Sequence, residues 1–482
     1  MTVGILGILL ALGLLIYLAY RGLSVLLVAP LMALIAVVAS GTPVLASYTQ
    51  VFMPALGSFV IQYFPLFLLG ALFGKLMDNT GAARSLAEAI VARLGEANTI
   101  PAVVIACAVL TYGGVSLFVV AFAVYPIAAA MFERANLQRS LIPASIALGS
   151  FTFTMTALPG TPAIQNAIPM PYFGTTAFAA PGIGIIAGAI MLVLGLLWLS
   201  WRAKTRAATI RSDAARLDRP RRVLREYAQG EGYDVVEIGE PEAEAPRNLP
   251  PVWLAALPIV LVVSLNYLLA AYVLPSLDTT YLADKRYGSV AFDTVKGVWA
   301  VLIALASSIV VTVVFNRNRI KSLKDTLDSG ANAATGPTFN TASLVGFGAV
   351  VSSLPAFALI RDGVLGIAPD NPLISLAISV NILAGITGSA SGGMSIALQT
   401  LGGTYLDLAR AANIDPDLLH RVTAVATGGL DALPHNGAVI TLLSVCKMTH
   451  AEAYKDIFVV ACAIPILALV VILTIATLAG SF

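Results

Sequence analysis

The chain has 482 residues, 58% of them hydrophobic and 11% charged, with a mean hydropathy of +0.88. That balance excludes an ordinary soluble domain and defines an integral membrane protein. The net charge of +2 carries no sign of nucleic-acid binding, because where charges lie matters more than their sum.

Apolar stretches near residues 3–20, 22–40, 57–76, 181–201, 252–274, 298–315 and 456–479 are each long enough to cross a hydrocarbon core of about 30 Å. The first lacks a basic start and is followed at once by a second span, so it reads as a retained helix rather than a signal peptide. Residues 80–97 read as an amphipathic helix lying on the inner surface, and Arg84 and Arg93 fall inside on the charge count. Residues 99–132 would form a helix of about 51 Å at 1.5 Å per residue, too long for one crossing. Gly113 and Gly114 break it near the middle. The segment 141–172 is interrupted in turn by "ALPGTP".

Residues 202–250 hold ten of the 28 Lys and Arg, nine of them before residue 226. Such clustering beside a span places this loop in the cytoplasm. "NRNRIKSLKD" after Phe315 falls on the same side, two spans later. Arg361 and Asp362 read as a structural ion pair near an outer span end. Residues 372–409 are again too long for one crossing and are broken by "TGSASGGMS", and 422–446 by "LDALPHNG". Two re-entrant hairpins, 99–132 and 372–409, keep the charges consistent. Glu133, Arg134 and Arg139 then lie inside, Arg410 and Arg421 outside, and His420 and His450 in solvated loops. The expected fold is all-α, with about ten crossings, two hairpins and two unwound helices. Cys107, Cys446 and Cys462 lie in apolar runs without zinc or redox spacing and read as small buried hydrophobes.

The breaks recur. "GGVS" at 113–116 returns as "GGMS" at 392–395, "ERANLQRSLIP" at 133–143 as "ARAANIDPDLL" at 409–419, and "ALPGTPAIQNA" at 157–167 as "ALPHNGAVITL" at 432–442. The halves, 1–201 and 251–482, flank the charged loop and have opposite expected orientation, the inverted-repeat plan of secondary transporters. Irregular backbone at membrane depth survives only where protein or a wet cavity surrounds it, and half-helix N-termini aimed at that cavity favour an anion. The candidate substrate ligands are Gly113, Gly114, Ser116, Gly160 and Thr161 from the first half. The second half offers Thr387, Ser389, Ser391, Gly392, Gly393, Ser395, His435 and Asn436. For any single Ser or Thr the competing role is helix packing or back-bonding to the preceding turn. Asp431 and His435 flank Pro434, and a titratable pair at membrane depth is a candidate for proton coupling. The competing roles are a hydrogen bond to substrate and a helix cap.

At "GGVSLFVVAFAVYPIA", "ALPGTPAIQN", "GITGSASGGMSIAL" and "GGLDALPHNGAVITLLSVCKMTH" the chain resembles the GntP family of gluconate-type permeases, over nearly its whole length. The resemblance implies proton-coupled uptake of small hydroxy acids across a bacterial inner membrane, and the wider ion-transporter superfamily implies a homodimer. The gluconate branch carries a His-Val-Asn-Asp-Ala-Gly pattern where this chain has "PHNGAV" from Pro434. That departure points toward the 3-hydroxybutyrate branch.

No metal or organic cofactor is expected. Sodium coupling through backbone carbonyls and passive conduction are alternatives. An intramembrane protease pairing Ser391 with His435 is the enzymatic rival, and it leaves the matched breaks of the first half without a purpose. "GALFGKL" at 70–76 is not a phosphate-cradling loop, since it has one residue too few between its glycines and no Ser or Thr after Lys75.

Overall fold

The computed structural model describes residues 2–21, 23–205, 248–368, 371–434 and 436–480. His435 and most of the basic 202–250 loop lie outside the described residues. Among the described residues every regular element is helical, as the apolar runs and the absence of alternating patterns require.

In the first half, α1 (Thr2–Tyr20) and α2 (Val25–Ala39) pack as an apolar pair. They precede the long α3 (Val44–Asn79). The arm α4 (Ala82–Leu94) follows, then α5 (Thr99–Tyr112), α6 (Leu117–Arg134) and α7 (Ile142–Ser150). A run of short turns leads from α7 to α8 (Pro181–Thr205). The second half repeats the order. It consists of the pair α9 (Val252–Ser276) and α10 (Phe292–Asn316), the long α11 (Leu323–Ser353) and the short α12 (Phe357–Leu365). Then come α13 (Pro372–Thr387), α14 (Ala390–Ala411), α15 (Pro416–Thr427), α16 (Gly437–Val445) and α17 (His450–Ala479). Of these, α3, α8, α9, α10 and α17 are each long and apolar enough to cross a membrane.

The halves interlock. α3 and α11 run side by side, α2 packs on α11, and α10 packs on α3. Each half therefore supplies the neighbour that covers the other's central helix.

The repeat extends to backbone angles. Asn136 and Asn413 both adopt left-handed conformations, with φ of 54° and 53°. In each case the following amide closes the same cap, Leu137 N to Phe132 O and Ile414 N to Ala409 O, both at 2.8 Å. Asn is among the few side chains that tolerate this region. Gly174 and Lys447 form a second left-handed pair, at φ of 68° and 54°.

The match of "GGVS" with "GGMS" does not hold at the backbone. The left-handed residue ending the first arm is Gly114 (φ 92°) in one hairpin and Gly388 (φ 61°) in the other. Ser116 and Ser389 then precede the second arms, whereas Gly392 and Gly393 lie within the first turn of α14. A tetrapeptide likeness lost to the conformational requirement of the turn.

Two placements are overturned. His420, expected in a solvated loop, and Arg421, expected outside with Arg410, lie within α15 and are fully buried. Charge counting treats an arginine near a span end as hydrated, but here carbonyls freed by the first break supply its acceptors. Other expectations stand. Arg361 and Asp362 form an exposed ion pair at 3.0 Å, and the three cysteines are buried and free. His450, though it begins α17, is exposed.

Candidate functional site

A cavity of about 170 Å3 opens where the first hairpin tip meets the first unwound segment. Tyr112 Oη donates to the carbonyl of Pro159 at 2.7 Å and ties the tip to that segment. A methyl group on Gly114 would lie 2.8 Å from Pro162 Cγ, so glycine permits both the positive φ and the close approach. On the other side the tip rests on α3, where a Cβ at Gly74 would meet the Ser116 amide at 3.5 Å. Ser116 precedes α6 but its side chain makes no capping bond. Ser116 thus leaves the N-terminus of α6 without a side-chain cap, and Leu117 and Val119 of that first turn form part of the cavity lining. Thr111 contributes a buried hydroxyl with no hydrogen-bond partner among the described residues. Among the described residues the charged groups in the lining are Lys75 and Asp78 of α3.

The first break is braced from the second half. All five N–H groups of Arg421 are used. Nε donates to Ala179 O at 3.0 Å, and Nη2 to Ala177 O and Ala179 O at 3.3 and 2.7 Å. Nη1 donates to Ala157 O and Asn166 Oδ1 at 3.1 and 3.2 Å. The guanidinium replaces helical bonds that residues 157–180 cannot make, and it has no donor left for a ligand. Asn166 Nδ2 donates to Thr161 O and Ala177 O, which leaves its Oδ1 as an acceptor. His420 Nε2, 3.1 Å from that oxygen, must therefore carry the proton, and Nδ1 accepts from Thr175 Oγ1 at 2.6 Å.

The second tip is closed by its own side chains. Ser389 Oγ accepts from Gly392 N at 3.2 Å, and Thr387 Oγ1 donates to Leu383 O at 2.9 Å. Asn436 donates to Gly388 O at 2.8 Å while its Oδ1 accepts from Val439 N at 3.0 Å, so it caps α16 and clasps the tip together. Ser391 Oγ lies 3.4 Å from Ser389 Oγ and 3.5 Å from Thr341 Oγ1. A Cβ on Gly393 would collide with the backbone of Ala384, so this glycine lets the hairpin arms touch.

Of the residues singled out in the sequence, Gly114 and Ser116 line the cavity. Gly113 turns toward Ile259, Gly160 donates to Ala177 O, and the Thr161 hydroxyl accepts from Ala163 N at 3.3 Å. Thr387, Ser389, Ser391, Gly392, Gly393 and Asn436 cluster at the second tip, and Ser395 is buried nearby in α14. Asp431 is half-buried in the second break, outside the cavity lining. That break leans on α17, through Tyr454 Oη to Ala432 O at 3.1 Å and His450 Nε2 against Pro434 O at 2.9 Å. Lys75, Asp78, His420, Asn166 and Arg421 are not among the site residues that the sequence singles out. The available signal was a charge inside an apolar run at Lys75, and a His-Arg pair at 420–421 ahead of the break.

Apolar helices long enough to cross a bilayer, interrupted around a small polar-edged cavity, are the build of a membrane transporter. Over 472 residues the chain is 42% identical to a Bacillus subtilis (strain 168) protein named "Uncharacterized transporter YxjC", with 94% of each chain covered. The chain belongs to the family of that transporter. No protein-family model matches it.

Proposed function

We propose that the chain is a proton-driven secondary transporter that imports a small hydroxy monocarboxylate, of the 3-hydroxybutyrate or gluconate kind, across a bacterial inner membrane in the manner of GntP-type permeases. The observation that carries this reading is the 170 Å3 cavity at the first hairpin tip. It is smaller than the roughly 300 Å3 at which drug-sized pockets begin. At its edge Ser116 leaves the N-terminus of α6 without a side-chain cap, and among the described residues the cavity holds a single cationic side chain, a match for one carboxylate rather than three.

The recurring element order supports inverted repeats, with ten crossings and two re-entrant hairpins. The contrast between an open first tip and a capped second tip fits an inward-facing state, since the cavity lies by the end of α3 and the start of α11, next to the basic 317–321 segment. Alternating access would open the second tip and close the first. A homodimer is the expected assembly.

The test is uptake into proteoliposomes. Accumulation of 3-hydroxybutyrate or gluconate should follow an inward proton gradient, and counterflow should persist without one. Uptake that follows a sodium gradient at fixed pH replaces the proton with sodium, and carriage of citrate without competition from any monocarboxylate overturns the substrate class.

A further inference from the structure

Lys75 and Asp78 are three residues apart on α3, hence on one face, and both line the cavity. Lys75 is half-buried and Asp78 is exposed at the mouth. Among the described residues neither forms an ion pair within 4 Å. The other elements of the lining, the hairpin tip, the unwound segment, α10 and α11, bring uncharged residues only. On α11, Lys324, Asp325 and Asp328 are exposed and stand outside the lining. Asn79 Nδ2 donates to Thr326 Oγ1 at 2.8 Å, fixing this end of α3 against α11. Among the described residues the cavity therefore contains one cation, one anion and the unpartnered Thr111 hydroxyl, held on packed helices.

Resting on the transport reading above, we propose that Lys75 is the receptor for the substrate carboxylate and Asp78 the site that takes the co-transported proton. Empty, the cavity is neutral, Lys75 being balanced by Asp78. A monocarboxylate that binds Lys75 takes up the counter-charge of Asp78 and sets a second anion beside it on the same helix face, and a neighbouring like charge favours the protonated carboxyl. One proton on the Asp78 carboxylate restores neutrality, so one acid anion travels with one proton. The position of Asp78 at the mouth lets that proton exchange with solvent on the side to which the cavity opens, while Lys75 and Thr111 lie deeper with the substrate. No covalent bond is made or broken beyond the O–H of the carboxyl.

The experiment uses the full chain in proteoliposomes with 3-hydroxybutyrate as probe, together with thermal shift of the purified protein. Lys75→Gln should weaken the half-saturating concentration by about tenfold or more, the loss expected when a charge-assisted hydrogen bond is removed, and Lys75→Arg should restore part of it. Asp78→Asn should keep counterflow but lose proton-driven accumulation and the pH dependence of uptake. Unliganded melting temperatures close to wild type separate these effects from misfolding. If wild type neither binds nor carries any small monocarboxylate, both this inference and the transport reading fall. If wild type carries 3-hydroxybutyrate while Lys75→Gln keeps its affinity, only the inference falls. It falls equally if Asp431→Asn abolishes proton drive and Asp78→Asn does not.

Discussion

Arg421 Nη2 lies 2.7 Å from the carbonyl of Ala179, a contact between a helix of the second half and the broken segment of the first, 242 residues earlier. Together with the bonds to Ala157 and Ala177 it makes one guanidinium the substitute for a missing turn of helix. A buried cation held by neutral acceptors is uncommon, and its removal exposes several carbonyls to loss at once. Arg421→Met should therefore destabilise the protein by about 3 kcal/mol or more. Arg421→Lys should fall well short of wild type, because an ammonium has three donors against five. Melting temperature in detergent checks this, and an unchanged value for Arg421→Met would show that the break stands without the brace.

The neighbouring histidine gives a smaller and more selective effect. Thr175→Val removes the hydroxyl that faces His420 Nδ1 and should cost about 1–2 kcal/mol, whereas Thr175→Ser should be near wild type. Equal losses in the two variants would mean that the methyl group, not the hydroxyl, matters.

Asp456 of α17 accepts from Arg202 Nε and Nη2 at 2.6 and 2.9 Å and from Trp198 Nε1 at 3.0 Å, clamping α8 to α17. Both charged partners are buried. Asp456→Asn should cost about 3 kcal/mol or more by removing the buried negative charge to which Arg202 and Trp198 both donate. The double change Arg202→Met with Asp456→Leu should recover much of that loss. A double variant worse than the sum of its singles would contradict a simple pair.

Glycines provide an internal control. Gly393→Ala should lower the melting temperature markedly, since its Cβ meets the backbone of Ala384 across the hairpin. Gly57→Ala on α3 has open space around it and should be neutral or slightly stabilising. A Gly393→Ala variant of normal stability that has lost only transport would return this glycine to the substrate path.

Much of the architecture was legible in one dimension because its causes are local. Spans follow from uninterrupted apolar runs, and the breaks follow from Gly113–Gly114 and the prolines of "ALPGTP", which cannot continue a helix without strain. The Asn136 and Asn413 pairing was visible too, since both residues meet the same left-handed requirement. The motif likeness of Gly392 to Gly113 misled, because letters matched where backbone angles did not. What lay beyond the sequence was partnership at long range. Arg421 reads as a hydrated charge until the carbonyls of Ala157, Ala177 and Ala179 are brought around it. Lys75 likewise reads as the end of a span until the Ser116 tip folds against Gly74 and gives it a cavity to face. Helix and break are decided by each residue's own torsions and hydropathy. Which charges are buried, and what they hold, is decided only when segments hundreds of residues apart exclude the same water.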